Sequence, residues 1–274
     1  MEASAGARSG YFVVDSGSSH TILNSVHFTA EHQLVQLRTY TGDRALGGTL
    51  HTTLKLGPWT EKMVFAALGD LSALEKRLQL PLLGLIGMNV LRNYELHLDY
   101  RSTTIEFYRL GKKGEPLRKC PAGLPARTLG FRYARYLPLI EAELAGQTFT
   151  WGLDTGAGVN LFDVSTAQRI GLQTTDQRSA ITTIGQPCEK GKAGLFRAAL
   201  QLGELQTTPM NTLCKDLREL NRQLPGPRID GILGFAFLSQ QRTAINFRKR
   251  ELYLWPSLPA GMPVTNVKDY ITSN

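Results

Sequence analysis

"WGLDTGAGVNLFD" (Trp151 to Asp163) is an apolar run that stops on Asp154, Thr155 and Gly156. "FVVDSGSSHTILN" (Phe12 to Asn24) stops in the same way on Asp15, Ser16 and Gly17. Each stretch alone reads as a turn, since Asp and Ser bond nearby backbone and Gly accepts turn conformations. Their likeness changes that reading. The two acids lie 139 residues apart (154 − 15), and the ninth residue after each, Asn24 or Asp163, is a good helix N-cap type. After Asp163, "DVSTAQRIG" reads as a short helix closed by Gly171.

The echo continues along the chain. "LKLG" (Leu54 to Gly57) parallels "LQLG" (Leu200 to Gly203). "DLSALEKRLQLP" sets Leu71, Leu74 and Leu78 on one helical face, and "TLCKDLRELNRQLP" does so with Leu213, Leu217, Leu220 and Leu224. Each leads to an apolar-Gly unit, "GLIGMNVL" (Gly84 to Leu91) or "GILGFAFL" (Gly231 to Leu238). Asp99 and Asn246 each follow their glycine, Gly87 or Gly234, by 12 residues (99 − 87; 246 − 234). Both sit in hairpin-like text, "ELHLDYRSTTIEFY" and "TAINFRKRELYLW". A period this long excludes a solenoid and points to two homologous units.

Composition agrees. Hydrophobic residues make up 42% and charged residues 20% of 274, enough for two cores. Frequent Gly and Pro (27 and 13) favour short strands over long helices. The expected fold class is mainly β: two homologous β-barrel-like lobes with a cleft between them and a few short helices. The lobes span residues 1–111 and 131–258. A basic linker (112–130) joins them, and a tail (259–274) follows. The net charge of +8 concentrates in that linker. It lacks a basic helix with interleaved aromatics, so no nucleic-acid partner is expected. No run of about 18 apolar residues marks a membrane helix. Cys120, Cys188 and Cys214 show no metal-ligand spacing, nor do His27, His32, His51 and His97, so neither metal nor cofactor is expected.

Asp-Ser/Thr-Gly, followed by two apolar residues and Gly (Leu85-Ile86-Gly87 and Ile232-Leu233-Gly234), resembles the aspartic proteases. The resemblance covers most of residues 11–256 and looks like a single-chain member built from two retropepsin-sized lobes. It implies an aspartic endopeptidase acting on polypeptides, as a monomer with internal pseudo-two-fold symmetry. The alternative is a protease-like peptide-binding protein with little or no turnover. Asp15 and Asp154 would be the catalytic dyad. Two carboxyls about 3 Å apart share one proton, an effect for which this family is the standard example. Ser16 and Thr155 would cross-bond the two loops. Gly17 and Gly156 would allow their tight approach, with Ile86, Gly87, Leu233 and Gly234 packed behind. Ser18 could hydrogen-bond Asp15 where Ala157 cannot bond Asp154, which makes Asp15 the base and Asp154 the acid. A flap would come from Leu34 to Gly57, with Tyr40, Thr41 and Gly42 towards substrate and Gly47-Gly48 in a turn. The region from Ile181 to Phe196 would form a second flap.

One departure stands out. Aligned backwards from Asp15, Ala3, Ser4 and Ala5 face Ala142, Glu143 and Leu144, so the first strand should be weak or missing. This suggests a longer precursor. A leader upstream would place the protein outside the cytoplasm; otherwise it would be cytoplasmic.

Overall fold

The computed structural model describes residues 1–38, 44–120, 123–181 and 189–255. The first lobe begins with β1 (Glu2–Ala5) and β2 (Arg8–Val14), joined through Gly6. The first strand is therefore present, though half the length of its later counterpart. Its Ala5 is fully buried, and it pairs with both β2 and β5. Next come β3 (Thr21–Asn24), β4 (His32–Arg38), β5 (Arg44–Leu56), β6 (Trp59–Gly69), α1 (Ser72–Leu78), β7 (Leu82–Ile86) and α2 (Met88–Leu91). The seven strands run in the order β1-β2-β7-β3-β6-β5-β4, and the β1–β5 pairing closes the sheet on itself. Gly47 and Gly48, expected in a turn, lie inside β5 instead.

A hairpin follows, β8 (Tyr94–Asp99) with β9 (Thr104–Arg109). The chain then reaches β10 (Arg127–Gly130). The supposed linker thus ends in a strand, and it is not solvated throughout.

The second lobe holds β11 (Arg132–Ala134), β12 (Leu137–Leu144), β13 (Gln147–Leu153), β14 (Asn160–Asp163), α3 (Val164–Arg169), β15 (Thr175–Ile181) and β16 (Glu189–Ala198). It continues with β17 (Gln201–Leu202), β18 (Leu205–Gln206), β19 (Met210–Lys215), α4 (Arg218–Gln223), β20 (Gly231–Leu233) and α5 (Phe235–Leu238). Leu213, assigned to a helix from its spacing, lies in β19. Leu217, Leu220 and Leu224 do pack together against Leu137, Leu139 and Ile232. Ile22, Leu71, Leu82 and Leu85 form the corresponding small cluster in the first lobe.

The chain ends its described part with β21 (Thr243–Asn246) and β22 (Glu251–Leu254). The two hairpins, one from each lobe, join in a five-stranded central sheet, β10-β22-β21-β8-β9. Its apolar side supplies Tyr94, Leu96, Ile245 and Leu252 to the large core that spans both lobes.

The ninth residue after each Asp works across space. Asp163 does cap α3, accepting from the Thr166 N–H at 3.1 Å. Asn24 caps no adjacent helix, because β3 leads into a turn and no counterpart of α3 follows. Instead, its Oδ1 accepts from the Leu71 N–H at 3.2 Å, at the entry to α1. Asp163 Oδ1 accepts likewise from the Leu217 N–H at 3.1 Å, at the entry to α4. Both asparagine and aspartate thus satisfy a buried backbone donor at a helix start. Asn24→Ala should cost about 1–3 kcal/mol in urea unfolding, because it strands that N–H. A cost near zero would refute this role.

Candidate active site

Each Asp stands at the end of a strand whose neighbour is the apolar-Gly strand. β2 pairs in parallel with β7, and the Asp15 N–H donates to the Ile86 carbonyl at 3.0 Å. β13 pairs in parallel with β20, and the Asp154 N–H donates to the Leu233 carbonyl at 2.9 Å. Each loop then doubles back over the glycine. The Met88 N–H reaches the Ser18 carbonyl at 2.9 Å, and the Phe235 N–H reaches the Ala157 carbonyl at 2.8 Å. The N–H of each glycine is taken by a side chain six residues after the Asp. Gly87 donates to Thr21 Oγ1 at 3.4 Å, and Gly234 to Asn160 Oδ1 at 2.9 Å.

The two loops meet face to face. The Ser16 N–H donates to Thr155 Oγ1 at 3.0 Å, and the Thr155 N–H donates to Ser16 Oγ at 3.0 Å. Each hydroxyl passes its own proton across the lobe boundary, Ser16 Oγ to the Leu153 carbonyl at 2.9 Å and Thr155 Oγ1 to the Val14 carbonyl at 2.7 Å. These four bonds close a reciprocal ring. Ser16→Ala and Thr155→Ala should each cost about 1–3 kcal/mol, since each leaves buried partners unmet. The double variant should cost less than the sum of the two, as expected for one network. A double-mutant cycle with no coupling would contradict the ring.

The ring brings the carboxyls of Asp15 and Asp154 close enough to influence each other's ionisation. Gly156 lies against Asp15 so closely that a Cβ there would sit 2.6 Å from its Cγ. Asp154 Oδ1 accepts the Gly156 N–H at 2.8 Å and the Gly17 N–H from the other lobe at 3.2 Å. Burial pushes the Asp15 carboxyl well above the ordinary range, and the charge of Asp154 pushes it further. Burial also raises Asp154, opposed by the Gly156 N–H and by the bond from Asp15. Burial thus raises both carboxyls, and the pair holds its proton as a unit.

Ser18 does not supply the side-chain bond expected to distinguish the two carboxyls. Its hydroxyl donates to the His20 carbonyl at 2.8 Å and leaves Asp15 alone. The backbone N–H of Ser18 donates to the Asp15 main-chain carbonyl at 3.3 Å, as that of Ala157 does to Asp154, and both N–H groups favour the charged carboxyl nearby. The side-chain difference between the loops is thus silent at the dyad.

Two tyrosines escaped the sequence reading. Tyr136, in the β11–β12 turn, packs against both the large core and the small second-lobe cluster. Burial and then the charges of Asp15 and Asp154 push its phenol up to about 12. Tyr100, at the tip of the first hairpin, meets the Phe235 ring edge-on with centroids 4.9 Å apart. Burial and then Asp154 push it up to about 12 as well. Tyr136 lies in no motif and Tyr100 only follows Asp99 in the first hairpin, so only the assembled lobes reveal them. Hairpins β4–β5 and β15–β16 stand in corresponding places in the two lobes. Tyr40, Thr41 and Gly42 lie outside the described residues. Among the described residues, no group of three metal-ligating side chains gathers. No described helix is long and apolar enough to cross a membrane.

Residues 140–237 match the family model described as aspartyl protease. The match runs from within β12 into α5 and includes both Asp154-Thr155-Gly156 and Ile232-Leu233-Gly234. The second lobe is therefore similar to that family over most of its length. No curated protein matches the chain.

Proposed function

We propose that this chain is an aspartic endopeptidase whose catalytic pair is Asp15 and Asp154. The supporting observation is the buried contact between the two carboxyls, held by the reciprocal Ser16–Thr155 ring. Ionised Asp154 accepts a proton from water as general base, and the oxygen attacks the peptide carbonyl carbon. Asp15 gives its proton to the carbonyl oxygen. The tetrahedral species then collapses, the C–N bond breaks, and the amine leaves with a proton from the dyad. The pair titrates as a unit, so its roles can exchange between steps. The two hairpins, β4–β5 and β15–β16, would cover an extended peptide and pair with its main chain. The chain works as a monomer, because one polypeptide supplies both loops.

The test is cleavage of a mixed peptide library from about pH 3 to pH 7, with and without pepstatin, the range set by a shared-proton carboxyl pair. Pepstatin-sensitive cleavage that disappears in Asp15→Asn and in Asp154→Asn is the expected result. Folded wild-type protein that binds peptides without cleaving them would replace this reading with the binding one.

A further inference from the structure

The basic loop after β9 meets a second basic segment from the far end of the chain. Residues 110–119 fold back on the β21–β22 turn. Arg248 Nη1 donates to the Gly111 carbonyl at 2.8 Å, and Asn246 Nδ2 donates to the Gly114 carbonyl at 2.8 Å. A Cβ on Gly114 would stand 2.9 Å from Lys249 Cγ, so the two segments touch. Lys112, Lys113, Arg248, Lys249 and Arg250 flank these contacts, Lys119 lies further along the same loop, and all six are exposed. Among the described residues none of the six forms an ion pair. Glu115 is the one acid within the loop. Cations this close repel one another within the roughly 8 Å reach of unscreened charge at physiological salt. The touching backbones do not require that clustering, whereas an anionic partner would relieve it.

Leu117 narrows the choice of partner. It lies in the middle of the basic loop, beside Gly111, and is 60% exposed. An apolar side chain gains by entering the boundary of a bilayer, and it gains nothing against a phosphodiester backbone. We propose that this face docks on an anionic bilayer surface, with the six cations over the headgroups and Leu117 dipping between them. The inference is independent of catalysis.

Co-sedimentation of the full chain with vesicles tests it. Phosphatidylcholine vesicles containing phosphatidylserine should bind the protein, those of phosphatidylcholine alone should not, and added salt should weaken the binding. Lys112→Glu with Lys113→Glu, and separately Lys249→Gln, should weaken binding by about fivefold for each cation removed. Lys249→Gln keeps the stem that packs on Gly114, so its loss reports charge. Leu117→Ser should weaken vesicle binding and leave the melting temperature unchanged. Equal binding to both kinds of vesicle would overturn the proposal, and so would full binding by Lys249→Gln. An RNA homopolymer bound more tightly than the vesicles, with Leu117→Ser indifferent, would assign the face to nucleic acid instead.

Discussion

Asp15→Asn and Asp154→Asn should each slow peptide hydrolysis by about 10²–10⁴-fold, the usual worth of a positioned general acid or base. Asp15→Asn should at the same time stabilise the protein at neutral pH. The folded Asp15 carboxyl is held well above its ordinary value by burial and by Asp154. The folded state therefore binds this proton more tightly than the unfolded chain does. Its stabilising effect is complete below the unfolded value near 3.8 and is lost as pH rises through the raised folded value. Asn cannot ionise and escapes that loss. Thermal melts should coincide for wild type and Asp15→Asn near the acid limit, then diverge in favour of the variant as pH rises. The gain should be smaller for Asp154→Asn, because Asp154 accepts two backbone N–H bonds that favour a charged oxygen. Parallel melting curves at every pH would refute the electrostatic account, and wild-type rates in either variant would refute the dyad.

Gly87→Ala and Gly234→Ala should destabilise the fold by about 1–3 kcal/mol or more, as overpacking does when neighbours cannot yield. A Cβ at Gly87 would meet the His20 carbonyl oxygen at 2.3 Å, and one at Gly234 would meet the Ala157 carbonyl oxygen at the same distance. Both obstacles are backbone, and Ala157 also accepts the N–H that holds its loop. Relief would push the Asp loop away from its partner, so activity should fall along with stability. Gly158→Ala is the control from the same loop, because a Cβ there meets nothing within 4 Å. Its denaturation midpoint should match wild type. Equal stability for Gly158→Ala and Gly234→Ala would show that the glycines are not needed for close approach.

Much of this architecture is legible in the chain because it depends on local chemistry. Strand, Asp-Ser/Thr-Gly turn and apolar-Gly partner recur at matching spacing, and the parallel β2–β7 and β13–β20 pairs follow them. The reading failed where residues far apart decide the outcome. The helical spacing of Leu213 was overridden by pairing of β19 with β14 and β16. The end of the basic linker became β10 because β22 offered it a free edge. The short first strand held because β5 lies on its other side.

The sequence by itself determined the two Asp-Ser/Thr-Gly loops, their supports and the two hairpins, since turn chemistry and alternation act over a few residues. Only the tertiary structure decided that the hairpins would merge into one sheet and that Tyr100 and Tyr136 would come within electrostatic reach of the carboxyls. That placement depends on burial and packing that arise only when the lobes meet. Ser18 and Ala157 differ in the sequence, yet both reach the dyad through backbone N–H groups, which carry no side-chain signature.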